Sequence, residues 1–317
     1  MKSHSSLVLG CQGQDGALLC KSLLQKNQKV VGSSRFKKKN LGNLEKLKIN
    51  NDIEQVQLNL SDQLAIEKTI SKYQPNVIYN LSAQSSVGQS FNKLEETFIS
   101  ISYATQNLLE VCRRMNFKGK IFFAGSSEMY GSYETRINIE DSKSPLSPYA
   151  IAKLNSFQIV KIYRNLFNID CITGVLFNHE SSLRGDTFVF PKIIKSAIIS
   201  SKNRCHKTKM GNIYIQRDWG WAEEYVEAMQ IVANSDLRKD YLICTGQVNS
   251  MHEIISKVFN LFNLDWQQHI IIDPKLFRKE EINKSFGNPI PIYKDLSWKA
   301  NIFIDQIIKN LVENYQS

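Results

Sequence analysis

Nowhere in this sequence do about 18 apolar residues follow one another, so no membrane-spanning helix is expected. The opening residues, MKSHSSLVLGCQGQDG, carry a basic residue but an apolar run too short for a secretory leader. CxxC is missing as well. The six cysteines (Cys11, Cys20, Cys112, Cys171, Cys205 and Cys244) are scattered, which argues against a disulfide framework and suits a reducing, cytoplasmic setting. Histidine is scarce. His4, His179, His206, His252 and His269 show no metal-ligand spacing, and MHEIIS (251–256) lacks the second His of HExxH. In NHE (178–180) adjacent strand residues would face opposite ways, so no metal site is expected there either. Low-complexity tracts and repeats of solenoid or propeller period are also missing.

Acidic residues fall short of basic ones, leaving a formal charge of +10. Such an excess suits nucleic acid, an anionic membrane or a nucleotide diphosphate. The one dense cluster, Lys37, Lys38 and Lys39, has no aromatic ladder or zinc-finger spacing beside it and reads as a solvated loop. Neither nucleic acid nor membrane is therefore an expected partner. What the chain does have is 317 residues, 42% of them hydrophobic, enough for a sizeable core.

The first half alternates. Strands are predicted at 6–10, 29–34, 53–60, 76–82, 120–125 and 170–178. Helical spacing fills 16–27, 63–74 (with Ser61 or Asp62 as cap), 97–115 and 147–167. This pattern predicts an α/β fold, a Rossmann-type doubly wound parallel sheet, with a smaller C-terminal substrate-binding lobe. The expected division is 1–178 for the dinucleotide and 179–317 mainly for the substrate. The last third reads as helices near 188–202, 220–234, 251–262 and 302–315, with strands at 240–246 and 269–274. Some of these pieces should return to the sheet, leaving no clean linker.

Gly10-Cys-Gln-Gly13-Gln-Asp-Gly16 follows the first strand and opens the first helix. Glycines so placed let backbone N–H groups approach a pyrophosphate at a helix N-terminus. After the second strand an NAD site usually carries a carboxylate for the ribose; here stands Arg35, suited to the 2′-phosphate of NADP.

GSSEMYG (125–131), at the end of the fifth strand, places a carboxylate, Glu128, in a small-residue loop. Tyr149 and Lys153 lie at i and i+4 on the next helix, hence on one face. An ammonium beside a phenol favours the phenolate, which could take a proton from a sugar hydroxyl as hydride leaves the carbinol. Ser126 would share a hydrogen bond at that hydroxyl.

These motifs together resemble the extended short-chain dehydrogenases/reductases, and within them the GDP-mannose 4,6-dehydratase family. The likeness runs in order through GCQGQDGALL (10–19), NLSAQSSVGQSF (80–91), AGSSEMYG (124–131), SPYAIAKLNSF (147–157), GVLFNHESSLRGDTFVFPKI (174–193), GNIYIQRDWGWAEEYVEAM (211–229) and DPKLFRKEEI (273–282). The resemblance implies catalytic roles for Ser126, Glu128, Tyr149 and Lys153. NADP-binding positions would be Gly10, Gly13, Gln14, Asp15, Gly16, Arg35, Asn59, Leu60, Leu81, Ala83, Gln84, Ser85, His179 and Arg184, with Tyr149 and Lys153 beside them. Ser85, Asn178, Lys192, Arg217, Arg278 and Glu281 fall where relatives hold the GDP-sugar. The implied reaction is redox-neutral: oxidation at C4, loss of water across C5 and C6, and reduction at C6. A C4 epimerase needs no base at C5, so Glu128 is the discriminating residue.

Departures from the family pattern are Ser126 for Thr, Ser86 and Trp221 for His, Asn59 for Asp and Glu96 for Tyr. The loop at 34–47 keeps Arg35 but lacks the Arg/Ser-rich sequence that links subunits in relatives. A homodimer is expected, a homotetramer less supported. The substrate is expected to be GDP-mannose, with another GDP-linked sugar (heptose or amino sugar), an NDP-sugar epimerase and a non-catalytic dinucleotide-binding regulator as alternatives.

Overall fold

Short apolar runs separated by amphipathic stretches form a layered α/β molecule in the computed structural model, which describes residues 4–35 and 42–316. The Lys37–Lys39 cluster lies outside the described residues. The chain begins with β1 (Ser5–Leu9), α1 (Gln14–Gln25), β2 (Lys29–Ser34), α2 (Gly42–Lys46), β3 (Glu54–Gln57), α3 (Gln63–Tyr73) and β4 (Val77–Asn80). Then come α4 (Val87–Ser90), α5 (Leu94–Phe98), a π-helical turn at Ile99–Tyr103, α6 (Ala104–Arg114), β5 (Lys120–Ser126), α7 (Pro148–Leu166) and β6 (Cys171–Leu176). The last third holds β7 (Asn178–Glu180), α8 (Val189–Lys202), β8 (Thr208–Met210), β9 (Gln216–Arg217), β10 (Trp219–Trp221) and α9 (Ala222–Asn234). It ends with β11 (Tyr241–Ile243), β12 (Asn249–Ser250), α10 (Met251–Asn260), β13 (Ile270–Ile272), β14 (Lys284–Ser285), α11 (Ile290–Leu296) and α12 (Ile304–Gln316).

Seven strands make one parallel sheet in the order β11-β6-β5-β4-β1-β2-β3. The chain winds outward from β1 to β3, then returns to place β4 against β1. Connections leaving the carboxyl ends of β1 and β4 therefore diverge, which opens a crevice there. Alternation along each strand splits the core. Val8 and Phe122 face the layer of α1 and α9, while Leu7, Leu9 and Phe123 face α3 and α6. A third core, with Phe190, Trp219, Ile254 and Ile307, lies among α8, α10 and α12. Later pieces of the chain pack on this layer: β11 is the edge strand beside β6, and α9 shares the α1 core.

In the first half, one helix and one strand differ in extent from the sequence prediction. The helix expected at 97–115 is interrupted by the π-helical turn. There the Ile101 carbonyl accepts hydroxyls from Thr105 (2.7 Å) and Ser156 (3.2 Å), which compete with the helical ladder. The strand expected at 53–60 stops at Gln57, because Asn59 Oδ1 accepts from the Ser61 N–H (3.1 Å) and turns the chain. Of the two candidate caps before α3, Asp62 is the one that accepts a helix N–H, from Ala65.

Candidate active site

The glycine loop is built by sterics. Gly10 has φ +84°, and a Cβ there would stand 2.9 Å from Ser82 Cα. A Cβ on Gly16 would stand 2.2 Å from the Gly10 carbonyl oxygen, so only glycine lets α1 start this close to β1. Gly13 caps α1, and its backbone leaves room on the open side. A cavity of about 320 Å³ lies against this loop, with Gly10, Gly13, Arg35, Asn59, Leu60, Leu81 and Ala83 on its walls. A second, of about 480 Å³, shares Leu81 and Ala83 and so continues the crevice. On its walls are Asp15, Ser85, Ser126, Glu128, Tyr149, Lys153, Asn178, His179, Arg184, Lys192 and Arg278. A glycine-bounded turn at a helix N-terminus, joined to an elongated crevice, fits a dinucleotide followed by a second ligand.

Five expected site residues stand off these walls, each for a visible reason. Gly16 is buried under the turn it permits. Gln84 is buried and donates to the Ser86 carbonyl (2.7 Å). Gln14 donates to the His179 carbonyl (3.3 Å) and accepts from the Ser181 hydroxyl (2.9 Å), so its side chain joins two segments rather than facing the cavity. Arg217, 3% exposed, pairs with Glu281 (3.3 Å) behind Arg278, which contacts the same carboxylate oxygen (3.4 Å). Burial draws the Arg217 pKa down, opposed by the charges of Glu128 and Glu281.

The residues expected to carry chemistry converge. β5 ends at Ser126, whose hydroxyl accepts the Glu128 N–H (3.3 Å) and hydrogen-bonds the Tyr149 phenol. Ser147 caps α7 by accepting from Ala150, with Pro148 in the first turn, so Tyr149 and Lys153 project from a fixed helix start. Glu128 is half-buried at the mouth. Here the expected activation of Tyr149 needs correction. Lys153 donates to the Ala124 carbonyl (2.7 Å), and its Nζ stands 5.8 Å from the Tyr149 ring centre. Burial raises the phenol to about 12, despite the Ser126 hydrogen bond, and lowers the Lys153 ammonium to about 8. Arg35, expected to point at a phosphate, sits 3.7 Å from Glu96.

Three features went unread in the sequence. Asp15 and His179 form a charged hydrogen bond (2.9 Å), and the other ring nitrogen meets the Phe177 carbonyl (2.7 Å). Burial disfavours both charges, yet the His179 charge and its hydrogen bond hold Asp15 down at about 2, while Asp15 raises His179. Asp218, fully buried, accepts from the backbone of Thr245, Gly246 and Gly287 and from the Thr245 hydroxyl. Burial pushes its carboxyl up to about 6, the bonds opposing. It fixes the strand end that carries Arg217. Glu180, buried, lines the larger cavity 3.6 Å from Arg184. Adjacency to a motif residue was the available signal for all three.

Comparison with known proteins places this geometry. A family model described as GDP-mannose 4,6 dehydratase matches residues 7–311. GDP-mannose 4,6 dehydratase 1 of Arabidopsis thaliana is 31% identical over 319 residues, covering 97% of this chain and 88% of the relative. Among solved structures, dTDP-glucose 4,6-dehydratase from Bacillus anthracis in complex with NAD superposes with a TM-score of 0.86 at 18% identity, covering 99% of this chain and 97% of that one. UDP-glucose 4-epimerase from Thermus thermophilus in complex with NAD gives 0.86 at 19%, with 98% and 99% covered. At those identities the two structures speak for the fold alone, and they span both a dehydratase and an epimerase. The family model and the close-length relative go further: the chain belongs to the GDP-mannose 4,6-dehydratase family of hydro-lyases.

Proposed function

We propose that the protein dehydrates GDP-mannose to a GDP-4-keto-6-deoxy-hexose, using NADP within one crevice. The observation that carries this reading is Glu128, half-buried in the cavity that also presents Ser126 and Tyr149. When bound, the nicotinamide would accept hydride from the sugar's C4 and later return it to C6. Gly10, Gly13 and the start of α1 would hold the pyrophosphate, Arg35 the 2′-phosphate, and Asn59 and Leu60 the adenine side.

Tyr149, bonded to Ser126, takes the C4 hydroxyl proton. Burial holds the resting phenol neutral, so its own proton must first pass to solvent; the phenolate then accepts the C4 hydroxyl proton, with the Lys153 ammonium and the Ser126 hydroxyl stabilising its charge. A ketone at C4 acidifies the C5 proton, which Glu128 removes. That proton is then available to the departing C6 hydroxyl, so water leaves and the double bond spans C5 and C6. Glu128, reprotonated from solvent once water has left, delivers that proton to C5 as C6 is reduced, and the proton taken from the C4 hydroxyl is released to solvent in balance. Lys192 and Arg278 supply cations for the diphosphate, with Arg217 adding its charge from behind Arg278, and Asn178 and Ser85 supply polar contacts to the sugar.

The same reading places the dinucleotide on residues 1–178, helped by α9 and β11, and the nucleotide sugar mainly on 179–317. Six free cysteines suit a reducing cytosol. A homodimer is supported by an exposed apolar stripe: Ile151, Ile162 and Leu166 on α7, beside Ile99 and Tyr103.

The test is incubation with a panel of GDP-sugars and NADP⁺, reading product mass. GDP-mannose should give a product lighter by one water. A product of unchanged mass, epimerised at C4, would overturn the dehydratase reading, and turnover of a different GDP-sugar alone would replace the substrate.

A further inference from the structure

The wall of the smaller cavity holds an arrangement that the reaction does not use. Arg35 follows β2 directly there, and its Nη2 stands 3.7 Å from the carboxylate of Glu96. Glu96 comes from α5, a separate element, and its other oxygen meets Lys93 Nζ at 3.2 Å. The π-helical turn that begins three residues later sends Ile99 and Ser100 into the same cavity. A carboxylate thus reaches the rim where the cofactor's adenosine ribose would lie, and it reaches the cation meant for a 2′-phosphate.

The two charges favour different cofactors. A guanidinium at the end of β2 pairs with the 2′-phosphate of NADP, whereas a carboxylate at this ribose accepts from the 2′-hydroxyl of NAD and repels a phosphate. Exposure decides how strongly they compete. The side chains are 47% and 41% exposed, so solvent screens the pair and a phosphate can displace Glu96 from Arg35. Glu96 then tunes selectivity without blocking NADP.

We propose that Glu96 sets this enzyme's preference between NADP and NAD, holding it below what Arg35 alone would give. The proposal rests on the assignment of Arg35 to the 2′-phosphate. The experiment measures dissociation constants of NADP⁺ and NAD⁺ by calorimetry for the wild type, Glu96→Gln and Arg35→Ala, with thermal unfolding as a check on folding. Glu96→Gln should raise the NADP-to-NAD affinity ratio by up to about fivefold, the range of an exposed charge pair. Arg35→Ala should lower it. If Arg35→Ala lowers the ratio and Glu96→Gln leaves it unchanged, the role of Glu96 is overturned while that of Arg35 stands. If Arg35→Ala leaves the ratio unchanged, the 2′-phosphate assignment falls, and this proposal with it.

Discussion

At the scale of single residues, the site separates groups by what surrounds them. Tyr149 and Lys153 are both buried, and burial drives their pKa values apart, the phenol up to about 12 and the ammonium down to about 8. Their i, i+4 spacing was readable from YAIAK, but their burial was not, because it comes from β5 and the 178–188 segment folding over them. Tyr149→Phe keeps the packing and removes the acid–base group. It should lower turnover by about 10²–10⁴-fold while the cofactor dissociation constant stays within about twofold, checked by steady-state rates and calorimetry. Near-normal turnover would assign the C4 proton to another group.

Between elements, the most consequential contact is the one joining the glycine loop to β7. Gln14 and Asp15 lie in the GQDG stretch, which reads as a phosphate loop. In the fold their side chains grip Ser181 and His179, leaving backbone to face the crevice. The pairing depends on a partner 164 residues away, so local pattern could not disclose it. The same holds for the break between α5 and α6, where Ser156 of α7 supplies the competing hydroxyl.

The pH dependence of the Asp15–His179 contact follows from its shifts. Asp15 is held at about 2 against an ordinary 3.8, so its contribution is present above 3.8 and lost as pH falls through about 2. His179 is raised above 6.5, so its share is full below 6.5 and lost as pH rises through the folded value. Asp15→Asn should therefore lower the melting temperature most between pH 3.8 and 6.5, and less at higher pH. A penalty independent of pH would show that the contact contributes shape, not charge.

For the molecule as a whole, the parallel sheet was legible from its βαβ rhythm, and its switch point follows from β4 pairing with β1. The short strands of the last third were not legible. β7, β9, β10, β12 and β14 are two or three residues each, too brief to show periodicity. They exist because partners from distant segments complete them. The outer face of α7 carries Ile162 at 47% and Leu166 at 74% exposure, an apolar surface that a second copy would cover. Ile162→Glu should therefore shift the protein from dimer to monomer in sedimentation at micromolar concentration. A wild type that sediments as a monomer would remove the dimer from this account.

If Glu128 takes the proton from C5, solvent isotope exchange at that carbon must depend on it. With GDP-mannose and NADP⁺ in D₂O, the wild type should release water and place deuterium at C5 of the product. Glu128→Gln should bind NADP⁺ normally, yet neither lose water nor exchange at C5. Full dehydration or C5 exchange by that variant would contradict the claim.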